Sequence, residues 1–307
     1  MQLYTDWAAL PQDAGGATVA LGNFDGVHRG HAHLVHAAHQ ARPDLKLAVA
    51  TFEPHPRAFF RADDPPFRLT LAAEKAAALG MLGVQTVYQL AFDEAFSNLS
   101  AEEFFTRVLH AGLGAAHLAC GPDFAFGHRR GGSVALLAQL AERSGMGLTT
   151  VPPLTDAGGP LSSTRIRRLL QDGYPERAAV ALGRPWVISG TVAHGEKRGR
   201  TIGFPTANVA LGAHLEPARG VYAVTVHLDH GAVHRGVANI GRRPTVSDGM
   251  ESRLEAHIFD YAGDLYGQEI SVALHAFLRP EQKFASFDAL RAQIAADADA
   301  ARTRLPQ

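Results

Sequence analysis

The chain has 307 residues, enough for two domains, and 46% of them are hydrophobic, which is ample for two packed cores. A formal net charge of −1, with 19% charged residues, excludes a long-range attraction to nucleic acid or to an anionic membrane. The single cysteine, Cys120, excludes an internal disulfide framework and predicts a cytoplasmic setting, and we expect neither a signal peptide nor a membrane span.

The first strong pattern in the chain is a strand, a glycine-rich loop, a helix and a second strand. The predicted elements are strands over 17–21 and 45–52 and a helix over 31–40. Gly22, Gly26 and Gly30 let backbone approach a ligand closely, and the helix start offers unpaired N–H groups to an anion. The pattern therefore predicts a phosphate site.

Two histidines, His28 and His31, lie at the mouth of this predicted helix and can donate to phosphate oxygens. A glycine-rich turn alone is common, and histidines at helical spacing also leave metal ligation open as an alternative. No cysteine lies nearby to complete a closed set of four ligands. We interpret His33, His36 and His39 as a partly exposed helix face.

The same loop, G-N-F-D-G-V-H-R-G-H, resembles the H-x-G-H loop of the nucleotidyltransferase superfamily, in the form found in bacterial riboflavin kinase/FAD synthetases. In that family the two histidines hold the ATP phosphates while an adenylyl group passes to FMN. The resemblance implies catalytic roles for His28 and His31. It also implies ATP phosphate contacts from Gly22, Asn23, Phe24 and Gly30.

Alternating elements continue to about residue 151. The predicted helices cover 70–81, 100–111 and 133–144, and the predicted strands cover 84–90, 116–120 and 147–151. Ser100 and Glu103 have the spacing of a capping box. This alternation predicts an α/β, Rossmann-like domain with a mainly parallel sheet and helices on both faces.

Two loops of this half resemble the FMN side of the family's site. F-E-P-H-P follows the strand ending at Phe52, and its prolines predict an extended loop without a helix. G-P-D-F-A-F-G follows Cys120, although Gly131-Gly132-Ser133 departs from the family pattern. The resemblance implies FMN contacts from Phe52, Pro54, Pro56, Asp123 and Phe124.

A further loop, L-S-S-T-R-I-R, opens a predicted helix that ends near Gln171 and forms a second anion site. It resembles the family's I-S-S-T-x-I-R element, which clamps the leaving phosphates. The residues implied are Ser162, Ser163, Thr164 and Arg167.

The second half changes character near Gly183. Strands are predicted over 187–192, 221–228, 233–239, 253–259 and 269–277, with a hairpin turn at 229–231 and a closing helix over 286–303. This pattern predicts a small antiparallel β-barrel with a C-terminal helix.

G-R-x-I-G-F-P-T-A-N in this half resembles the nucleotide loop of riboflavin kinases almost residue for residue. The implied nucleotide contacts are Gly199, Gly203, Phe204, Pro205, Thr206 and Asn208. Thr206 and Asn208 are implied ligands of Mg²⁺ or of a nucleotide phosphate. Glu255 matches the family's catalytic base.

The resemblance therefore implies a bifunctional enzyme that requires Mg²⁺. Residues 1–183 would adenylylate FMN to FAD, and residues 184–307 would phosphorylate riboflavin to FMN, both with ATP as co-substrate. We expect these small molecules, and no nucleic acid or membrane, as partners, and leave a weak homo-oligomer open. The alternatives are an adenylyltransferase whose barrel only binds flavin, and a non-catalytic flavin sensor or RNA-binding regulator.

Overall fold

The computed structural model describes residues 1–11, 14–193, 204–229, 231–244 and 250–306. Contacts divide the chain into two units. The first contains Met1–Asp64 and Thr70–Ser162, and the second contains Pro65–Leu69 and Ser163–Gln307. None of the helices in the described ranges combines the length and the apolar character needed to cross a membrane.

The first unit alternates strands and helices as predicted. Its strands are β1 Gln2–Tyr4, β2 Thr18–Leu21, β3 Leu47–Glu53, β4 Thr86–Ala91, β5 His117–Cys120 and β6 Gly147–Thr150, with a hairpin of β7 Thr155–Asp156 and β8 Gly159–Pro160. Its helices are α1 Arg29–Ala41, α2 Pro56–Phe60, α3 Ala72–Met81, α4 Glu94–Ser97, α5 Ala101–Glu103, which continues as a π-helix over Phe104–Gly112, and α6 Val134–Arg143. The predicted capping box of Ser100 and Glu103 begins α5.

Among the described residues, β1 to β6 form a six-stranded sheet in the order β1-β4-β3-β2-β5-β6, with every pairing parallel. The predicted α/β, Rossmann-like fold is confirmed. The chain moves from β2 to β3 on one side and later to β5 on the other side, so the order reverses at β2. Ligands of open α/β sheets bind at the carboxyl ends of strands beside such a switch point. The glycine-rich loop after Leu21 begins there.

Both faces of the sheet are buried, which is why its strands are apolar at successive positions. Val19 and Leu21 of β2 belong to one core cluster, together with Phe105 from the π-helix. Ala20 belongs to the cluster on the other face, with Val35 of α1. The helices therefore cover the sheet from both sides and leave the strand ends open to ligands.

One sequence prediction for this unit is wrong. The prolines of F-E-P-H-P do not keep the whole segment extended, because α2 begins at Pro56. Proline is tolerated in the first turn of a helix, where its missing N–H would have no partner. The His55 imidazole caps this helix, since its Nδ1 accepts a hydrogen bond of 3.1 Å from the Arg57 N–H.

The second unit combines a β-sheet with three helices in its described residues. Its helices are α7 Ser163–Gln171, α8 Pro175–Leu182 and α9 Phe287–Arg304. Its strands are β9 Trp186–Thr191, β10 Ala207–Ala210, β11 Gly220–Leu228, β12 Val233–Pro244, β13 Met250–Ile258 and β14 Glu269–Pro280. The sequence missed the four-residue β10 and the eight-residue α8.

In the part of this unit that is described, the strands form an antiparallel six-stranded sheet in the order β10-β13-β12-β11-β14-β9. The two edges approach each other, because the Ala193 N–H donates to the Asn208 carbonyl at 2.9 Å. The predicted barrel with a C-terminal helix is confirmed. Helix α9 packs on the sheet through Ala298 and Ala301, against Val221 and Ala223 of β11.

Residues Pro65–Leu69 lie early in the chain but pack in the second unit. The Arg68 N–H donates to the Ala213 carbonyl, and the Leu215 N–H donates to the Arg68 carbonyl at 2.8 Å. The buried Trp186 indole donates to the Leu69 carbonyl at 2.8 Å. This five-residue segment, which we call the strap, therefore extends the barrel unit at its edge.

Glu216 links the barrel strands to the segment before β11. Its carboxylate accepts hydrogen bonds from Arg219, from Arg242 of β12 and from Ser252 of β13, at 2.6 to 3.1 Å. Burial raises the pKa of the Glu216 carboxyl, but the hydrogen bonds from these three side chains outweigh burial, and the pKa is lowered below its ordinary value.

A group whose pKa is lowered by folding stabilises the fold above its unfolded pKa and loses that effect as the pH falls. We therefore expect Glu216→Gln to lower the melting temperature at neutral pH, and the gap to wild type to shrink below about pH 4.3. Thermal melts between pH 3 and pH 8 measure this. Asp299→Asn, at a highly exposed ion pair of α9, is the control and should change little. A gap that is constant with pH would contradict the assignment.

Candidate nucleotide and flavin sites

The loop after β2 is held in an uncommon backbone conformation. Phe24 and Val27 have φ of 51° and 40°, which is rare for side chains of this size and most of all for a β-branched residue. Thr70 holds the loop, because its hydroxyl accepts from the Gly26 N–H at 2.9 Å and its N–H donates to the Asp25 carboxylate at 3.1 Å. Such strain persists where surrounding contacts impose it, and it clusters at functional sites.

In both His28 and His31, Nδ1 is the ring nitrogen that accepts hydrogen bonds from the backbone of the first turn of α1. His28 Nδ1 accepts from the N–H groups of Gly30 and His31, and His31 Nδ1 accepts from the His28 N–H at 3.3 Å. A neutral imidazole has one acceptor and one donor, so the proton of each ring lies on Nε2. The rings stack with centroids 3.7 Å apart. The pair thus presents two Nε2–H donors at a helix N-terminus.

Gly30 leaves no room for a side chain. A Cβ there would lie 3.0 Å from the His28 imidazole and 3.2 Å from the Leu161 carbonyl oxygen. The chain just before Ser162 therefore passes beside the start of α1. Within the first unit, the H-x-G-H turn is therefore adjacent to Leu161, the residue before the predicted phosphate contact Ser162.

The other predicted phosphate residues of this loop have different environments. Asn23 is exposed, while its carbonyl accepts from the Thr51 hydroxyl at 3.0 Å. The Phe24 side chain is fully buried in the core, so only its backbone is open to a ligand role. A Cβ on Gly22 would lie 3.2 Å from the Phe24 ring, which is closer than ordinary van der Waals contact.

Lys75 of α3 is a residue of this site that the sequence analysis missed. It is 1% exposed, and its Nζ lies 2.7 Å from the Glu53 carboxylate. Nζ also donates to the Thr51 hydroxyl at 2.9 Å, to the Phe52 carbonyl at 3.3 Å and to the Asn23 carbonyl at 3.5 Å. One buried ammonium therefore contacts the ends of both β2 and β3.

The predicted FMN residues lie after β3 and β5, at the carboxyl edge of the sheet. A series of aromatic contacts links the two loops, with centroid distances of 5.6 to 6.0 Å between neighbouring rings. Its members are Phe52, Phe96, Phe104, Phe126 and Phe124. Pro54 and Asp123 are exposed, and Pro56 is half-buried. The three middle rings are buried in the core, so this aromatic wall is open to a flat aromatic ligand at its half-buried ends, Phe52 and Phe124, with polar groups at its rim.

Two further side chains of this region are informative. Phe60, 65% exposed, stacks edge-on with Phe92 at 5.6 Å and extends the aromatic wall beyond the predicted residues. Burial, with a smaller effect of Asp123, raises the pKa of the Cys120 thiol to about 11. Cys120 is therefore a neutral core residue and not a nucleophile.

Ser163, Thr164 and Arg167 begin α7, which contacts assign to the second unit. Arg167 Nε donates to the Phe67 carbonyl of the strap at 2.8 Å, and the guanidinium lies 5.3 Å from the Phe67 ring centroid. The guanidinium thus has a structural role in α7. Its predicted phosphate contact, and those of the two hydroxyls, stay predictions.

The barrel unit aligns three polar residues on neighbouring strands. Asn208 of β10 is directly opposite Glu255 of β13, and Glu255 is directly opposite Asn239 of β12. Directly opposed residues of antiparallel strands point to the same face. The buried residues Leu254 and Ala256 on either side of Glu255 point to the other face. The three polar side chains therefore share the face on which α9 packs.

The P-T-A-N segment enters β10 beside this row. The Pro205 carbonyl accepts from His257 Nδ1 at 2.9 Å, and the Phe204 ring lies 5.1 Å from the same imidazole. A pocket beside the segment is lined by Val192, Pro205, Thr206, Ile258, Tyr261 and Tyr266, among others. Gly199 and Gly203, predicted nucleotide contacts, lie outside the described residues.

Thr206 and Asn208 have the chemistry that Mg²⁺ prefers. The Asn208 Nδ2 donates to the Thr206 carbonyl at 3.3 Å, and Asn208 lies directly opposite Glu255. Mg²⁺ takes oxygen ligands, usually one or two protein groups together with substrate phosphates. Within the described part of the chain, no three His, Cys, Asp or Glu side chains gather as a metal site. The donor set thus fits a metal that arrives with a nucleotide.

Asn239 and Glu281 are two further polar residues near Glu255 for which no role was predicted. Asn239 Nδ2 donates to Glu281 Oε1 at 3.3 Å, beside the catalytic candidate Glu255. A Cβ on Gly241 would collide with this Glu281 oxygen. The absence of a side chain at Gly241 therefore lets Glu281 reach the polar row.

Comparisons with known proteins match both units. The FAD synthetase family model matches residues 10–165, and the riboflavin kinase family model matches residues 182–305. A solved structure described as a macrolide-efflux protein from Streptococcus pneumoniae is 34% identical, with a TM-score of 0.87 over 98% of both chains.

Two curated relatives are each named bifunctional riboflavin kinase/FMN adenylyltransferase. The protein of Escherichia coli (strain K12) is 43% identical and covers 95% of this chain and 93% of its own length. That of Pseudomonas fluorescens is 42% identical and covers 98% and 97%. With both family models in the expected order, the resemblance stated from the motifs is confirmed, and the chain belongs to the bifunctional riboflavin kinase/FMN adenylyltransferase family.

Proposed function

We propose that the two activities of this family, riboflavin kinase and FMN adenylyltransferase, belong to the two candidate sites of this chain. The observation that supports this is their distribution: each family-model match contains one site. The first contains the paired histidines at the start of α1. The second contains the row of Asn208, Glu255 and Asn239. We also propose that the enzyme works in the cytoplasm on riboflavin, FMN and ATP.

At the first site a phosphate oxygen of FMN attacks the α-phosphorus of ATP. A new P–O bond forms, the bond to the β-phosphate oxygen breaks, and pyrophosphate leaves as FAD is made. Charge on the phosphate oxygens is stabilised by the Nε2–H donors of His28 and His31 and by the N-terminus of α1. Ser162, which follows the Leu161 carbonyl beside Gly30, adds a hydroxyl. The aromatic wall that includes Phe52 and Phe124 holds the flavin ring.

At the second site the ribityl hydroxyl of riboflavin attacks the γ-phosphorus of ATP, and ADP leaves as FMN is made. Glu255 orients that hydroxyl and accepts its proton, which a hydroxyl alone gives up reluctantly. Thr206 and Asn208 would hold Mg²⁺, which neutralises charge on the nucleotide phosphates. The pocket beside Thr206 suits the nucleotide base.

One incubation tests this function against its alternatives. The purified chain is given riboflavin, ATP and Mg²⁺, and FMN and FAD are separated by chromatography. We expect FMN to appear first, FAD to follow, and both to disappear when EDTA removes the metal. If the chain makes FAD from supplied FMN but makes no FMN from riboflavin, it is an adenylyltransferase only. If neither riboflavin nor FMN is converted, it is a flavin-binding protein without catalytic activity.

The histidine pair is tested with variants that retain its capping role. Asn is a good N-cap residue and Gln serves at the third helical position, so His28→Asn and His31→Gln keep the first turn while removing the imidazole Nε2–H. Each should reduce FAD formation from FMN by about 10²–10³-fold, the usual cost of one transition-state donor. FMN formation from riboflavin, assayed on the same sample, should persist.

His36→Gln is the matched control, because His36 is an exposed residue of the same helix. It should change neither activity. If His28→Asn and His31→Gln left FAD formation at the rate of this control, the two histidines would have no part in the transfer.

Glu255→Gln tests the proposed base. The substitution nearly preserves shape and hydrogen bonding but removes the proton acceptor, so kinase turnover should fall by at least about 10²-fold. Adenylylation of supplied FMN should be unchanged. Glu269→Gln, on the exposed part of β14 where its carboxylate accepts from Thr191, is the control. Kinase turnover of Glu255→Gln equal to that of Glu269→Gln would exclude Glu255 as the base.

The division of the chain into domains 1–183 and 184–307 is a proposal that fragments can test. A fragment that begins at Ala181 should make FMN and no FAD. One that begins at Ser163 should do the same and melt at a higher temperature, because it keeps α7 and α8, which pack in the barrel unit. The Ala218 N–H, for example, donates to the Leu170 carbonyl of α7 at 2.9 Å. FAD formation by either fragment, or equal melting temperatures, would contradict this organisation.

A further inference from the structure

The buried ammonium of Lys75 is unusual for its position in the fold. The side chain lies on the core-facing side of α3, between Leu71 and Leu79 in the helical repeat, where an apolar residue would ordinarily fill the space. Removing an ammonium from water is costly unless it is paired and hydrogen-bonded. An ammonium at this core position indicates that the hydrogen bonds of Nζ have a role other than packing.

Those contacts join two loops that leave neighbouring strands. Nζ donates to the carbonyl of Asn23, at the start of the phosphate loop, and to the carbonyl of Phe52, at the start of the flavin loop. The Thr51 hydroxyl accepts from Nζ and itself donates to the Asn23 carbonyl. The ammonium and this hydroxyl therefore form one connected set of hydrogen bonds between the two loops.

The ion pair with Glu53 does not by itself explain the lysine. A buried pair contributes little net stability, because the cost of desolvation offsets the attraction, and apolar residues often replace such pairs without loss. An apolar pair at 53 and 75 could not donate to the two loop carbonyls. Donation to both loop carbonyls from a single atom is what the ammonium supplies and an apolar side chain cannot.

We propose that Lys75 is a positioning residue for FAD formation, which fixes the ATP phosphate loop and the flavin loop at one separation. The proposal rests on the proposed adenylyltransferase site. In-line attack needs the FMN phosphate oxygen and the α-phosphorus of ATP in near-contact, and a misplacement of about 1 Å can cost about 10²-fold. A fixed distance between the two substrate loops supplies that alignment.

The experiment compares Lys75→Met, Glu53→Gln and the double variant Lys75→Met/Glu53→Gln. Lys75→Met should lower the melting temperature, because the largely buried Glu53 carboxylate loses its ion pair with Nζ. It should also lower kcat/KM for FAD formation by about 10²-fold, whether ATP or FMN is varied. Riboflavin kinase activity of the same sample, which uses the other unit, should be unchanged.

The double variant separates positioning from stability. Removing both charges should restore most of the melting temperature, while FAD formation stays as low as in Lys75→Met. The Phe52 carbonyl still lacks the Nζ donor, and the Asn23 carbonyl keeps only the Thr51 hydroxyl, so the ammonium no longer joins the two loops. Leu79→Ala, a fully buried position of the same helix, is the control for destabilisation alone. It should lower the melting temperature and leave kcat/KM for FAD formation unchanged below the melt.

The proposal would be overturned if the double variant recovered FAD formation together with its melting temperature. It would also be overturned if Leu79→Ala lost as much kcat/KM for FAD formation as Lys75→Met. Failure of the underlying site is distinguishable with His28→Asn. If His28→Asn impairs FAD formation and Lys75→Met does not, only the role of Lys75 is rejected. If neither variant impairs it, the site itself is wrong.

Discussion

The adenylyltransferase site depends on how the first turn of α1 uses its two imidazoles. Each ring gives Nδ1 to a backbone N–H, so the structure of the turn determines which nitrogen carries the proton. In this arrangement Nδ1 of each ring is an acceptor toward the backbone, and the N-terminus of α1 adds its own attraction for phosphate. The same bonds that begin the helix also orient the two imidazoles proposed to contact phosphate.

The second site depends instead on strand register. The β10–β13 and β12–β13 pairings bring Asn208, Glu255 and Asn239 side by side, although they are far apart in the chain. A shift of one residue in either pairing would turn Glu255 toward the barrel core. The barrel thus does for this site what the helix turn does for the other: a backbone hydrogen-bond pattern determines where functional groups point.

Much of this could be predicted from sequence because the loops use residues whose backbone preferences are strong. Glycines and histidines indicated the turn at Gly30, and apolar runs indicated the parallel strands. The prediction of an extended loop at Pro56 was wrong, because a proline that ends one segment can equally begin a helix. β10 was missed because four residues give too short an alternation to recognise.

The residues of the sites that were missed are those whose role depends on distant partners. Lys75 did leave a signal, since it occupies the same helical stripe as Leu71, Ala78 and Leu79. That spacing alone cannot tell a buried cation from one that reaches solvent along an apolar surface. Asn239 and Glu281 meet only because β12 and β14 both pair with β11 and because Gly241 lacks a side chain. No local pattern in the sequence contains that information.

The strap has a consequence for how the chain is made in the cell. Its backbone pairs with residues around His214, so its partner does not yet exist when Pro65–Leu69 emerges from the ribosome. At a synthesis rate of about 5–20 residues per second, Arg68 precedes His214 by on the order of ten seconds. During that interval Asp64 and Thr70 on either side can already join the first unit. The strap can therefore make its backbone hydrogen bonds only after residues 213–215 have been synthesised.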